Sequence, residues 1–256
     1  MRHLKIVKWV FVPVFFLGII AAAIVNFYNA DYAKNALDFF RARFLGGQSV
    51  EEAVAKYEPR LLSNTKESDF IARRGFHKEV LFFADKSKRI LSVYGRAGGK
   101  EKFEHLKDYP FTGFSGKLGP KLKSGDRQIP EGIYGIEYLN PNSTFHLSLK
   151  VSYPGDFDVK KALADGRQPE ELGGDIMIHG RSGTVGCIPI GDDAVEEVFI
   201  IAAKAGIHNI KVIISPCNLL SCERNFAKDV GVPWYGELIE NIRSEMLKYK
   251  ALGVVF

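Results

Sequence analysis

The chain opens on an unbroken apolar run. From Trp9 to Ala30 no charged residue occurs, and "WVFVPVFFLGIIAAAIVNFY" is long enough as a helix to cross a hydrocarbon core of roughly 30 Å. The pattern then takes on a helical period. "NALDFFRARFL" and "SVEEAVAKYEPRLL" repeat their apolar positions at helix spacing, with Ser49 as an N-cap and Glu52 completing a capping box. From His77 the period shortens. "HKEVLFFAD", a "KSK" turn and "RILSVYG" predict a hairpin rich in aromatic and β-branched residues. Glycine-rich and basic loops follow over Ala97 to Asp126. "EGIYGIEYLN", "STFHLSLKVSYP" and "GDIMIHG" predict three more strands, the last reached through a long polar connection that is partly helical. "GDDAVEEVFIIAAKAG" has acids in its first turn and a closing glycine, which predicts a helix, and "NIKVIISP" predicts a closing strand. The tail "VPWYGELIENIRSEMLKYKALG" predicts an amphipathic helix that packs on the domain.

These regimes divide the chain into four parts: residues 1–30, a membrane anchor or signal segment; 31–76, a helical lead-in; 77–216, a β-rich domain; and 217–256, a C-terminal helical extension. The expected class is mainly β with flanking helices (α+β). Charge changes the picture in one respect. Of the net +5, Arg2, Lys5 and Lys8 supply three, and no acid precedes Asp31, so the remainder carries little excess. Nucleic-acid binding rests on many clustered cations and is excluded on that ground. Those N-terminal cations orient the apolar run with its short N-terminus in the cytoplasm, which places the rest of the chain beyond the membrane, with residues 9–30 as its membrane contact. A cleaved signal peptide is the alternative, because Ala21, Ala22 and Ala23 offer small residues for cleavage. The apolar run continues past them, which favours an anchor.

Export makes disulfides admissible, and the chain has three cysteines. Cys217 and Cys222 follow Pro216, where a turn can bring them within bonding range. Cys187 is then the odd thiol. It lies eight residues after His179 in "IHGRSGTVGC". Two strands joined by a short loop are expected to set these residues face to face. A thiol needs a neighbouring base or cation to ionise near neutrality, and an imidazole supplies one. Cys187 would attack a carbonyl, and His179 would take the thiol proton and return it to the leaving amine. Gly183 and Gly186 allow the backbone to turn and aim N–H groups, including that of Cys187, at an oxyanion. No further Cys or His lies at ligand spacing, so neither a metal nor a cofactor is expected.

"IHG", then "TVGCI" with Thr184 three residues before the cysteine, resembles the signature of the L,D-transpeptidase (YkuD-like) family of bacterial peptidoglycan enzymes. "GDRQIPEGIYGI", Gly125 to Ile136, is similar to that family's Gly-Asp-x-x-Thr-Pro-Glu-Gly-x-Tyr stretch, and "FHLSLKVSYP" resembles the strand after it. The resemblance covers roughly residues 77 to 215. The eight-residue spacing is similar to a short-loop, YafK-type branch. Pro189 stands where the family has an arginine, and Ile129 where it has a threonine.

The resemblance implies an L,D-transpeptidase-like β-sandwich or barrel over 77–216. It makes Cys187 the nucleophile and His179 the base, with backbone groups of Gly186 and Cys187 near the oxyanion. Arg127, His146, Ser152, Tyr153, Gly180, Arg181 and Thr184 form the substrate rim. The implied partners are peptidoglycan stem peptides and wall-attached lipoprotein, and the implied place is the bacterial inner membrane with the catalytic domain in the periplasm. An amine acceptor gives transpeptidation. Water gives an L,D-carboxypeptidase or an amidase that releases attached protein. A non-catalytic wall-binding module, with Cys187 and His179 structural, is the reading of another class.

Overall fold

In the computed structural model, the described residues are 47–63, 77–223 and 230–256. The apolar run at 9–30 and residues 31–46 and 64–76 of the lead-in lie outside them. Among the described residues no helix is long and apolar enough to cross a membrane. Residues 48–256 form one compact unit, so the lead-in helix, the β-rich domain and the C-terminal extension belong to a single body.

The lead-in supplies α1 (Val50–Ser63). Its capping box forms as the sequence predicts: Glu52 N–H donates to Ser49 Oγ at 3.1 Å, and Ser49 N–H to Glu52 Oε2 at 2.8 Å. The predicted hairpin is β1 (Glu79–Asp85) and β2 (Ile90–Arg96), paired antiparallel. β3 (Glu104–Pro110) extends it inside the region expected to be loops. This strand escapes the apolar pattern because it is an edge strand of mostly polar, partly exposed residues, a composition that discourages pairing with another chain.

"EGIYGIEYLN" forms two strands and not one. β4 (Gly132–Tyr134) pairs with β9 (Ile210–Ser215), while β5 (Ile136–Ser143) pairs with β6 (His146–Val151). The chain changes sheet at Gly135, whose N–H donates to Ser152 Oγ at 2.8 Å and so leaves the ladder. After β6 come α2 (Asp156–Ala164), a 3-10 turn (Pro169–Leu172), β7 (Met177–His179), β8 (Ile188–Pro189) and α3 (Asp192–Ala205). β9 and α4 (Tyr235–Ala251) complete the described elements.

The result is α+β, with a five-stranded sheet ordered β3-β2-β1-β9-β4 and a four-stranded sheet ordered β5-β6-β7-β8. One core joins the two sheets and α3: Val80, Phe82 and Ile214 meet Leu149, Ile178 and Phe199. A second core lies between the other face of the larger sheet and α4, where Leu81, Phe83 and Ile213 pack with Leu238, Ile242 and Met246. β1 is therefore covered on both faces, which explains why "VLFFA" is continuously apolar and not alternating. The tail helix α4 packs on the larger sheet. Cys217 and Cys222 are disulfide-bonded, and Cys187 is free.

Candidate active site

β7 and β8 do not set His179 and Cys187 directly face to face as expected. They run parallel, with Ile178 opposite Ile188 and His179 opposite Pro189, so Cys187 lies beside Met177 and not across from His179. The correction follows from the loop. Residues 180–187 carry the chain back along the strand before β8 begins, which a tight reversal would not do. The two residues still share a side. Ile176, Ile178, Ile188 and Ile190 enter the core, and alternation leaves their odd-numbered neighbours on the opposite face. His179 and Cys187 are therefore offset by one pleat on the non-core face.

That face continues across β6. Ser148 pairs with His179 and Lys150 with Met177, giving one row of Ser148, His179 and Pro189 and beside it the pair Lys150 and Met177, with the Met177 N–H bonded to Cys187.

His179 is 1% exposed. Its Nδ1–H donates to the Gly180 carbonyl at 2.5 Å. This bond fixes the tautomer and leaves Nε2 with a lone pair. Burial holds the imidazole below the ordinary histidine pKa, against the opposing pull of the Gly180 carbonyl and the Asp192 charge. The ring is thus neutral at neutral pH and can accept a proton. Phe145 covers it, ring centroids 4.6 Å apart.

The Cys187 thiol is half-buried and donates to the Asp175 carbonyl at 3.4 Å. Burial, reinforced by the Asp175 charge, raises its pKa, while the Met177 N–H and the charges of Lys150 and Lys121 pull the other way. Burial prevails, so the resting group is a thiol.

The loop between them is braced by a segment that carries no apolar pattern. Thr112 Oγ1 donates to the Arg181 carbonyl and Thr112 N–H to the Pro189 carbonyl. Ser115 Oγ accepts from Gly186 N–H at 2.8 Å, which engages the amide expected at the oxyanion. Gly186 has φ +105, and a Cβ there would stand 2.8 Å from the Gln128 carbonyl, so only glycine fits. At Gly180 a Cβ would lie 2.5 Å from Asp192 Oδ1. That same oxygen accepts Arg181 N–H at 2.8 Å and anchors the loop to the start of α3.

The remaining predicted rim residues separate. Thr184 stays at the loop, its Oγ1 donating to the Cys187 carbonyl at 2.8 Å. Arg181 is partly exposed beside it, and Arg127 is exposed next to Gln128, whose backbone abuts Gly186. His146 sits under the loop, but its Nε2 meets Glu196 Oε1 at 2.7 Å, and Glu196 also binds Arg60 at 3.0 Å. Its ring therefore ties β6 to α3 and α1. Ser152 is occupied by Gly135. Tyr153 is buried against Tyr134, its hydroxyl donating to the Lys121 carbonyl at 3.3 Å, and does not reach a rim. Sequence reading missed Thr112, Ser115 and Lys150. The one available signal was a lysine set between Leu149 and Val151 in "HLSLKV".

Among the described residues no group of His, Cys, Asp and Glu could hold a metal ion. A pocket of about 330 Å³ lined by Asp85, Lys88, Tyr94, His105, Asp108 and Phe256, among others, includes none of the residues around Cys187.

This constellation, a buried neutral histidine and a free cysteine on one sheet face with a braced glycine loop between them, has the composition of a cysteine acyl-transfer site. No family model matches the chain. Over 136 residues, 51% of this chain, it is 30% identical to curated proteins described as putative L,D-transpeptidase YafK, from Escherichia coli strains K12 and O157:H7. The chain spans about half the length of these curated relatives. The similarity to L,D-transpeptidases read from the residues around Cys187 is thus found again over about half of this chain. Among solved structures, the helical cell shape determining protein Pgp2 from Campylobacter jejuni is 22% identical, with a TM-score of 0.43 over 54% of this chain and 48% of that one. L,D-transpeptidase 1 from Mycobacterium tuberculosis is 13% identical, with a TM-score of 0.31 over 54% and 62%.

Proposed function

We propose that the protein is a peptidoglycan-modifying cysteine acyl transferase acting on cell-wall stem peptides through a thioester at Cys187. The observation that carries this reading is the His179 tautomer: Nδ1–H is held by the Gly180 carbonyl, which leaves Nε2 as a buried base on the face that Cys187 shares. The similarity to proteins described as putative L,D-transpeptidases supplies the substrate class.

In this scheme Cys187 Sγ turns from the Asp175 carbonyl toward Nε2 and gives up its proton as it attacks the donor carbonyl. The C–N bond then breaks, and the amine leaves with the proton that Nε2 carries. An amine or water next attacks the thioester carbonyl, Nε2 takes its proton, and the C–S bond breaks as Nε2 hands that proton to Sγ and restores the thiol. Because the resting thiol is held protonated, ionisation belongs to the attack and does not precede it.

Val185 is exposed at the loop and Phe145 above His179, which gives the site an open, apolar margin. That openness favours water as an acceptor and keeps the L,D-carboxypeptidase and amidase outcomes beside transpeptidation. The chain is further proposed to sit at the inner membrane through residues 9–30 with this domain in the periplasm. Fractionation of cells producing the full chain checks that placement, a carbonate-soluble product overturning the anchor.

The decisive assay incubates the full chain and its Cys187→Ala variant with purified peptidoglycan and follows the muropeptides by mass spectrometry. New dimers or exchange of the terminal D-residue identify a transferase. Shortened stems or released peptide-linked protein identify a hydrolase. Turnover retained in Cys187→Ala overturns the Cys187 thioester, and unaltered muropeptides with the wild type overturn the reading in favour of a wall-binding module.

A further inference from the structure

Two buried ammonium groups lie close enough to Cys187 to act on its charge, and they differ in how they are held. Lys121, 4% exposed at its side chain, donates to Asp126 Oδ1 at 2.7 Å and to the Lys123 carbonyl at 2.8 Å. Its charge is answered within the fold. Lys150 is 8% exposed, yet its nearest acids are Glu137 Oε2 at 3.6 Å and Asp175 Oδ1 at 3.9 Å, both beyond hydrogen-bond length. Those carboxylates are 48% and 91% exposed and hold the ammonium loosely. Among the described residues Lys150 has no acceptor at hydrogen-bond distance. Its Nζ keeps a residual opening to solvent, so the acceptors it lacks within the fold are left to water or to a bound anion.

Lys150 also has the right address. It stands opposite Met177, whose backbone N–H bonds the Cys187 thiol. A Cβ on Gly174 would be 3.8 Å from Lys150 Nζ, and the next residue, Asp175, takes the Cys187 thiol on its carbonyl. One three-residue segment, Gly173 to Asp175, is therefore flanked by the ammonium and the sulfur. Pro189, in the row of His179, supplies no cation.

We propose that Lys150 is the specificity-determining cation of the site and binds a carboxylate of the donor peptide beside the carbonyl that Cys187 attacks. The inference rests on the acyl-transfer reading above for its substrate. The carboxylate is either the free terminus of the leaving residue or a side-chain carboxylate of the stem. On binding, it replaces the loose partners Glu137 and Asp175 and completes the hydrogen bonds that Lys150 lacks.

The test uses the full chain as wild type, Lys150→Met and Lys150→Arg, with thermal melting to compare folding. Cys187 is first alkylated with iodoacetate, an anion, and with iodoacetamide, its neutral analogue. The wild type and Lys150→Arg are expected to favour iodoacetate several-fold over the ratio shown by free cysteine, and Lys150→Met to lose that preference. Turnover is then measured on stem tetrapeptides in which each carboxylate is amidated in turn. Amidation of the recognised group is expected to lower kcat/KM roughly tenfold to a hundredfold in the wild type, mainly through KM. Lys150→Met erases the difference and Lys150→Arg keeps it, and the position whose amidation matters identifies the source. Unchanged alkylation ratios, or an acid preference that survives in Lys150→Met, overturn the proposal while normal turnover leaves the acyl-transfer reading intact. Absence of turnover in the wild type, with alkylation that still follows the charge at 150, sinks the reading and leaves the anion site standing.

Discussion

Cys187 and His179 are held in their uncharged forms by burial, so the pair does not rest as a thiolate and imidazolium. The rate of iodoacetamide labelling at Cys187 should accordingly keep rising through alkaline pH. A plateau near neutrality would mean that an ion pair already exists. For turnover, the base must be unprotonated, and its lowered pKa should move the acid limb of the kcat/KM profile below the free-histidine value of about 6.5. A limb at or above that value would contradict the burial described for His179. Gly186→Ala must place a methyl 2.8 Å from the Gln128 carbonyl at a φ that side chains resist. Loss of activity with Cys187 still present is the expected result, read by muropeptide assay together with circular dichroism. At this scale the sequence singled out His179, Gly186 and Cys187, because acyl-transfer chemistry calls for rare residue types at a fixed spacing. It was silent on Ser115 and Thr112, because a serine or threonine in a polar loop looks the same whether or not it braces a neighbour.

Elements were legible where apolar periodicity is strong. α1, the β1–β2 hairpin, α3, β9 and α4 all lie where the pattern predicts. The failures share a cause: direction and partner are properties of pairing, and periodicity does not encode pairing. "EGIYGIEYLN" reads as one extended run, yet Gly135 sends its halves to different sheets. The segment around His179 and Cys187 reads as two strands with a loop, yet the strands are parallel. Elements are also joined by a buried polar cluster with no periodic trace. Lys86, just after β1, donates to Glu131 Oε1 at 2.8 Å and to the carbonyls of Gly119 and Ile129. Tyr235 at the start of α4 donates to Glu131 Oε2 at 2.6 Å. Both members of the ion pair are fully buried, and removing one leaves an uncompensated charge. Lys86→Met and Glu131→Gln should each lower stability by about 3–5 kcal/mol in urea unfolding, and the double variant should cost less than their sum. Additive losses would show that the two act independently.

For the whole molecule, the pH dependence of stability sets opposing groups against each other. Burial raises the Asp158 carboxyl from 3.8 to about 6, despite N–H and hydroxyl donors from Gly155 and Tyr134. The folded state then binds a proton that the unfolded state has released, so this group's contribution is full below about 4 and is lost as pH rises through about 6. His179 acts in the reverse sense. Its depressed pKa favours the folded state above the ordinary value, and that contribution is lost as pH falls. Chemical denaturation across pH 4 to 7 should therefore show Asp158→Asn gaining relative to the wild type as pH rises. A constant difference would assign the Asp158 effect to packing and not to its proton.

The parallel pairing of β1 with β9 joins residues 80–85 to residues 210–215. β1 and β2 can close as a hairpin within a few residues, but the other edge of β1 stays bare until more than a hundred further residues have been added. A chain made or threaded end to end therefore carries a sticky, apolar ribbon through most of its emergence. Its yield in a cell will depend on whatever shields that ribbon during the wait.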